Sequence, residues 1–328
     1  MTSYKFVSKR GGPLGISSIK QYTSSIRCLN KYITLDVINK NTLCDLGFNM
    51  IITKLDSSDL SHGRKKDIMK ALKSLTLGWE IDSTTDIFIN KLDEKLKDTY
   101  KKYFKKIEEN KGVKSERDIK NWVDWNQLVK RREELENEVK QAGLFGKATL
   151  SINDYKLLQK TLIASLYTHI PPRRNIFSTV KFKTWKEFKK IYKPKKSIYP
   201  PDNYIVFNDT WVKTFLYLGD TKSSGHQREF KLPRRLKAII KLTHKHSTSN
   251  YLLTKIHNRT LPLNENTFSK QLNNIFKLKD SPKSNIGCVS IRKAYENQPE
   301  ILKTLSDAHA IAEKMGHTVG TAVSYYVK

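Results

Sequence analysis

Four places along the 328-residue chain carry side chains whose type and setting could do chemistry. Near the end, Met315-Gly316-His317 is followed by two adjacent tyrosines, Tyr325 and Tyr326, the second of them nine residues after the histidine. Gly316 can take the positive φ of a helix C′ position, and Thr318 can cap the next helix. His317 is therefore expected at a tight corner and Tyr326 on a short helix. Upstream, Pro171 and Pro172 end an apolar helix and present Arg173 and Arg174 at a turn. Lys222 lies in a turn-rich run, 219–226, between two strand-like segments, and Arg292 falls in Val289-Ser290-Ile291-Arg292 at the start of a helix. Arginine forks hold oxyanions in planar, bidentate geometry, so this set is suited to phosphate. Each residue alone also has an ordinary reading as packing or as a surface charge.

Net charge supports the phosphate reading. Sixty-one Lys and Arg against 32 Asp and Glu give +29. An excess of this size opposes compaction unless a polyanion offsets it, and nucleic acid is the commonest such partner. The basic residues are spread along the chain and not gathered on one amphipathic helix, which argues against an anionic membrane surface. No apolar run approaches the ~18 residues of a membrane span, and the first residues lack the apolar core of a signal peptide. A soluble, intracellular protein without membrane association is expected. The three cysteines, Cys28, Cys44 and Cys288, lie far apart with no CxxC, so neither a disulfide framework nor a metal site is expected, and no cofactor.

The elements that must position these residues follow from periodicity. After a basic arm, Ile19, Tyr22, Ile26, Leu29 and Ile33 recur at helical spacing. A second helix is predicted over 64–77, with Ile68, Leu72 and Leu75 inside and Arg64, Lys65, Lys66, Lys70 and Lys73 around it. Long charged helices are predicted between 84 and 141, and Ala142-Gly143-Leu144-Phe145-Gly146 has the composition of a linker. Beyond it come a helix over 154–167, strands near 204–207, 214–218 and 227–232, and helices over 234–244, 266–276, 290–297 and 300–315. The expected fold is mainly α with a small antiparallel β-sheet (α+β). The expected division is a helical N-terminal domain over 1–80, connecting helices over 81–145 and a C-terminal domain over 146–328.

Taken in order, the Arg pair after a helix, the hairpin lysine, the Arg opening a later helix, the Gly-His corner and a tyrosine nine residues on resemble the catalytic domain of tyrosine recombinases of the phage-integrase type. The form Leu166-Tyr167-Thr168 with Pro171-Pro172-Arg173-Arg174 is most similar to recombinases of eukaryotic DNA viruses, virophages and related mobile elements. The resemblance implies a helical DNA-binding domain joined to a recombinase catalytic domain that cuts and rejoins double-stranded DNA without metal. Tyr326 would attack phosphorus to give a 3′-phosphotyrosine. Arg173 and Arg292 would stabilise the transition-state oxygens, Lys222 would protonate the leaving oxygen, and His317 would donate to a non-bridging oxygen. Arg174 stays open as the alternative to Arg173, and Tyr325 as the alternative to Tyr326. The family implies a homo-tetramer on two DNA sites. A type IB topoisomerase and a catalytically inactive DNA-binding protein are the competing readings. The second gains from Val289, which stands where the family carries His or Lys and can neither donate nor accept a proton; His309 or a water is the candidate substitute. Only two residues follow Tyr326, so assembly is expected to rest on other contacts, such as the long helices.

Overall fold

The computed structural model describes residues 6–8, 14–33, 47–78, 83–109, 116–173, 175–194, 199–219, 229–277 and 284–298. The chain divides into two compact units, Met1–Asn110 and Lys111–Lys328. The stretch expected to connect two domains is therefore shared between them, with a long helix in the first unit and two helices in the second.

The first unit contains α1 (Ile16–Leu29), α2 (Phe48–Ser57), α3 (His62–Thr76) and α4 (Ser83–Glu109). Their apolar stripes meet in one core of Ile26, Leu29, Ile51, Leu55, Ile68, Leu72, Leu75 and Leu92. Helix α3 begins where the Ser61 side chain accepts from Arg64 N, a capping contact typically worth ~1 kcal/mol. Its five cations do not all face water. Lys65 is buried, and its ammonium donates to the carbonyls of Asp56 and Ser58 at the end of α2. Unsatisfied carbonyls and the negative end of the helix dipole favour a cation there. Lys73 pairs with Asp93, and Arg64 donates to the Ser24 carbonyl.

In the second unit, α5 (Glu116–Lys120) and α6 (Trp125–Gln141) lead to α7 (Ile152–Thr168). Ser151 and Asp154 form a reciprocal capping box at the start of α7. Residues 161–168 are buried on every side, as expected of a helix at the centre of a domain. Residues 142–146, expected as a linker, instead close α6. Gly143 takes φ +64°, Leu144 N donates back to the Val139 carbonyl, and the Leu144 side chain enters the core. A helix cap and a linker share composition, and the buried leucine makes the difference.

A 3-10 turn (Asn175–Thr179) leads to the sheet of β1 (Lys181–Thr184), β2 (Tyr204–Phe207), β3 (Thr214–Tyr217) and β4 (Glu229–Lys231), in the order β1-β2-β3-β4. The sheet is mixed and not purely antiparallel. β1 runs parallel to β2, while β2–β3 and β3–β4 are antiparallel. Parallel pairing needs a crossover, and α8 (Trp185–Ile191) supplies it. Alternation splits β2 between two faces. Tyr204 and Val206 pack with Phe188 of α8, whereas Ile205 and Phe207 join the main core. Helices α9 (Arg234–Lys245), α10 (Glu265–Phe276) and α11 (Cys288–Glu296) complete the unit. Among the described residues no helix is long and apolar enough to cross a membrane.

Candidate functional site

Arg173 lies five residues beyond the end of α7, in the extended segment begun by the two prolines, and Arg292 lies on the second turn of α11. Separated by 119 residues in sequence, they come together in the fold. Arg173 is 7% exposed and Arg292 2%. Burial, followed by the neighbouring Arg292 cation, pushes the Arg173 guanidinium down to about 10. The Arg173 guanidinium remains charged at neutral pH. The Cys288 thiol donates to the Arg173 carbonyl at 2.9 Å and ties the arginine segment to the first turn of α11. Cys288 and Arg292 are four residues apart, so one helix face carries both. The Arg173 guanidinium also stacks on the Phe230 ring of β4, 4.4 Å from its centroid.

Tyr167 completes the floor of this cluster. Its ring packs edge-on against Phe177, and burial, together with the adjacent Cys288 thiol, pushes its phenol well above the usual range. Tyr167 is thus a neutral packing group. Glu296, one turn after Arg292 on the same helix, is also buried.

A second polar network holds the end of α7. His169, its C-cap residue, contacts Glu136 through Nε2 at 3.0 Å and Arg132 through Nδ1 at 3.4 Å, both on α6. Arg132 Nε lies 3.4 Å from the same Glu136 oxygen. Burial opposes the Glu136 charge, but the His169 hydrogen bond and the Arg132 cation outweigh it and hold the carboxyl below its usual value. The segment leading to Arg173 is anchored at its origin by this network and at Arg173 itself by Cys288.

Beside the arginines opens a cleft of about 920 Å³, walled by Ile170 and Pro171 on one side and by Phe215, Phe230, Lys213 and Lys231 of the β3–β4 region on the other. Lys237 and Tyr295 also line it, so aromatic rings and ammonium groups share its wall, and Glu229 adds one carboxylate. Such a surface can hold phosphates and sugars by charge and apolar contact.

Of the residues singled out from the sequence, Arg173 and Arg292 are brought together. Lys222, His317 and Tyr326 lie outside the described residues, as do the alternatives Arg174 and Tyr325 and the candidate substitute His309. Lys222 belongs to the connection between the antiparallel strands β3 and β4. Val289 is 56% exposed on the first turn of α11. Among the described residues no three His, Cys, Asp or Glu side chains gather as metal ligands would. Sequence reasoning missed Cys288, Phe230 and the Glu136–His169–Arg132 network. The spacing of Cys288 four residues before Arg292 was the available signal for the first; the others depend on tertiary contacts. Comparison with protein-family models, with curated proteins and with solved structures finds no match for this chain.

Proposed function

We propose that the protein is a DNA strand-cutting and rejoining enzyme of the tyrosine recombinase type, acting on double-stranded DNA through a 3′-phosphotyrosine at Tyr326. The observation that carries this reading is the buried pair Arg173 and Arg292, two cations whose segments Cys288 ties together and which lie near enough for one charge to act on the other, next to residues that line a lysine-bearing cleft. Like charges forced together out of water are costly, and an oxyanion between them offsets the cost. A phosphodiester passing through a pentavalent transition state gains negative charge on its equatorial oxygens, where two guanidinium forks stabilise it most. In this reading Lys222 protonates the departing 5′-oxygen, His317 donates to a non-bridging oxygen, and four protomers assemble on two DNA sites to exchange strands in integration or excision. The covalent intermediate retains the energy of the broken bond, so rejoining needs no nucleotide cofactor.

The reading of a DNA-binding protein without cleavage is favoured by one observation, the exposed Val289, which has no proton to give or take. A nicked duplex that traps the cleaved strand separates the two. The proposal expects a covalent protein–DNA adduct from the wild type and none from Tyr326→Phe. Wild-type protein that binds this duplex but forms no adduct favours the non-cleaving reading. A plasmid without any special site, relaxed at low protein concentration, would instead move the assignment to a type IB topoisomerase.

A further inference from the structure

The first unit carries a surface that the strand-cutting proposal does not use. On α4, Tyr100, Tyr103 and Phe104 form an aromatic row at the border with α3. Tyr100 and Phe104 stack with 15° between their planes and 5.9 Å between centroids, and Phe104 is 55% exposed. On one side of the row stand Lys66 and Lys70 of α3. Lys66 Nζ lies 4.0 Å from the Tyr103 centroid, and Lys70 Nζ lies 5.1 Å from that of Tyr100. On the other side, Lys97, Lys101 and Lys105 recur every fourth residue and are all exposed. One helical turn separates neighbours in that row, about 5.4 Å along the axis. The nearby carboxylates do not neutralise it. Asp98 pairs with Lys102, and the Lys105–Glu109 pair is long, at 3.9 Å, and largely solvated.

A large exposed ring set between two rows of ammonium groups matches a partner that alternates flat apolar faces with negative charges. We infer that this α3–α4 face binds single-stranded nucleic acid, with a base stacked on Phe104 and the flanking phosphates on Lys101, Lys105 and their neighbours. Duplex DNA satisfies the lysines but keeps its base faces stacked on one another, whereas a single strand offers both features. The Lys66 and Lys70 contacts hold the tyrosines in place, so the ring beneath Phe104 is fixed before the strand arrives.

The full-length protein can be titrated with labelled oligo-thymidine, with an abasic strand of equal length and with the corresponding duplex, following fluorescence anisotropy at low salt. Wild type is expected to bind oligo-thymidine about tenfold more tightly than the abasic strand, the contribution of one stacked base. Phe104→Ala should erase that preference while changing duplex affinity less than about twofold, and Lys101→Glu with Lys105→Glu should weaken both single strands. Phe104→Trp should keep the preference and lose indole emission as the base stacks. A preference for bases that survives Phe104→Ala overturns the inference. So does a Phe104→Ala variant that alters only the oligomeric state in light scattering, since the face would then belong to a second copy. None of these readouts requires strand cleavage, so they stand apart from the adduct experiment.

Discussion

Replacing Arg173 by methionine should make the second unit harder to unfold while removing its hold on phosphate. Burial, followed by the neighbouring Arg292 cation, pushes the guanidinium down from the ordinary arginine range to about 10. Each pKa unit corresponds to ~1.4 kcal/mol, so keeping the charge in the folded state costs about 3 kcal/mol. Folded and unfolded chains both hold this proton below pH 10, and the cost is therefore constant across pH 6–9. Above pH 10 the folded state releases the proton first, the unfolded state binds more protons, and the cost disappears. Methionine fills similar space without charge. Against the gain stands the stacking on Phe230, worth ~1 kcal/mol, together with the other contacts of the side chain. A net stabilisation of about 1–2 kcal/mol is expected. Urea unfolding followed by tryptophan emission reads the relevant unit, because four of the five tryptophans (Trp122, Trp125, Trp185 and Trp211) lie in it. Added phosphate should raise the wild-type midpoint and leave that of Arg173→Met unmoved. A variant less stable than wild type by more than ~1 kcal/mol at pH 7 would refute the argument that the site stores unfavourable charge for an anion.

Cys288→Val should lower DNA-cleavage activity about tenfold by releasing the Arg173 carbonyl, while Cys288→Ser, which can still donate, should retain most of it; single-turnover adduct formation measures both. Glu136 is held below its ordinary pKa, so its contribution to stability is present above about pH 4.5 and lost as pH falls through its folded value. Glu136→Gln should flatten urea midpoints measured from pH 6 to pH 3. Gly219 has no room for a side chain, because an added Cβ would collide with the backbone of Pro200, Pro201 and Asp202. Gly219→Ala should cost about 2 kcal/mol in thermal unfolding. Affinity for duplex DNA should fall by about one power of salt for each phosphate neutralised, and Lys213→Ala with Lys231→Ala should reduce that slope.

The amphipathic helices were legible because their apolar spacing reports directly on the buried face; 234–244 and 266–276 match α9 and α10 to within a residue or two. The strands β2, β3 and β4 were legible for the same reason. β1 was not, because Lys181-Phe182-Lys183-Thr184 carries a single apolar residue, and its parallel pairing is made by partners distant in sequence. Helix α8 is only seven residues long and offers too few turns for a period to emerge. At the site, residue order marked Arg173 and Arg292, but nothing local could announce that they meet or that Cys288 bridges their segments. Lys65 was misplaced on the outside because its partners are backbone carbonyls, which sequence patterns do not advertise.

In the proposed reaction a tyrosine near the C-terminus becomes linked to DNA under the control of two buried arginines. Protease digestion of the adduct from a nicked duplex, followed by mass spectrometry of the DNA-linked peptide, addresses it directly. The expected product carries a 3′-phosphate on Tyr326, with adduct yield reduced at least a hundredfold in Arg173→Ala and in Arg292→Ala, roughly the effect of losing one transition-state donor. A link to Tyr325 or to any other residue, a 5′-linkage, or undiminished yield in the arginine variants would contradict it.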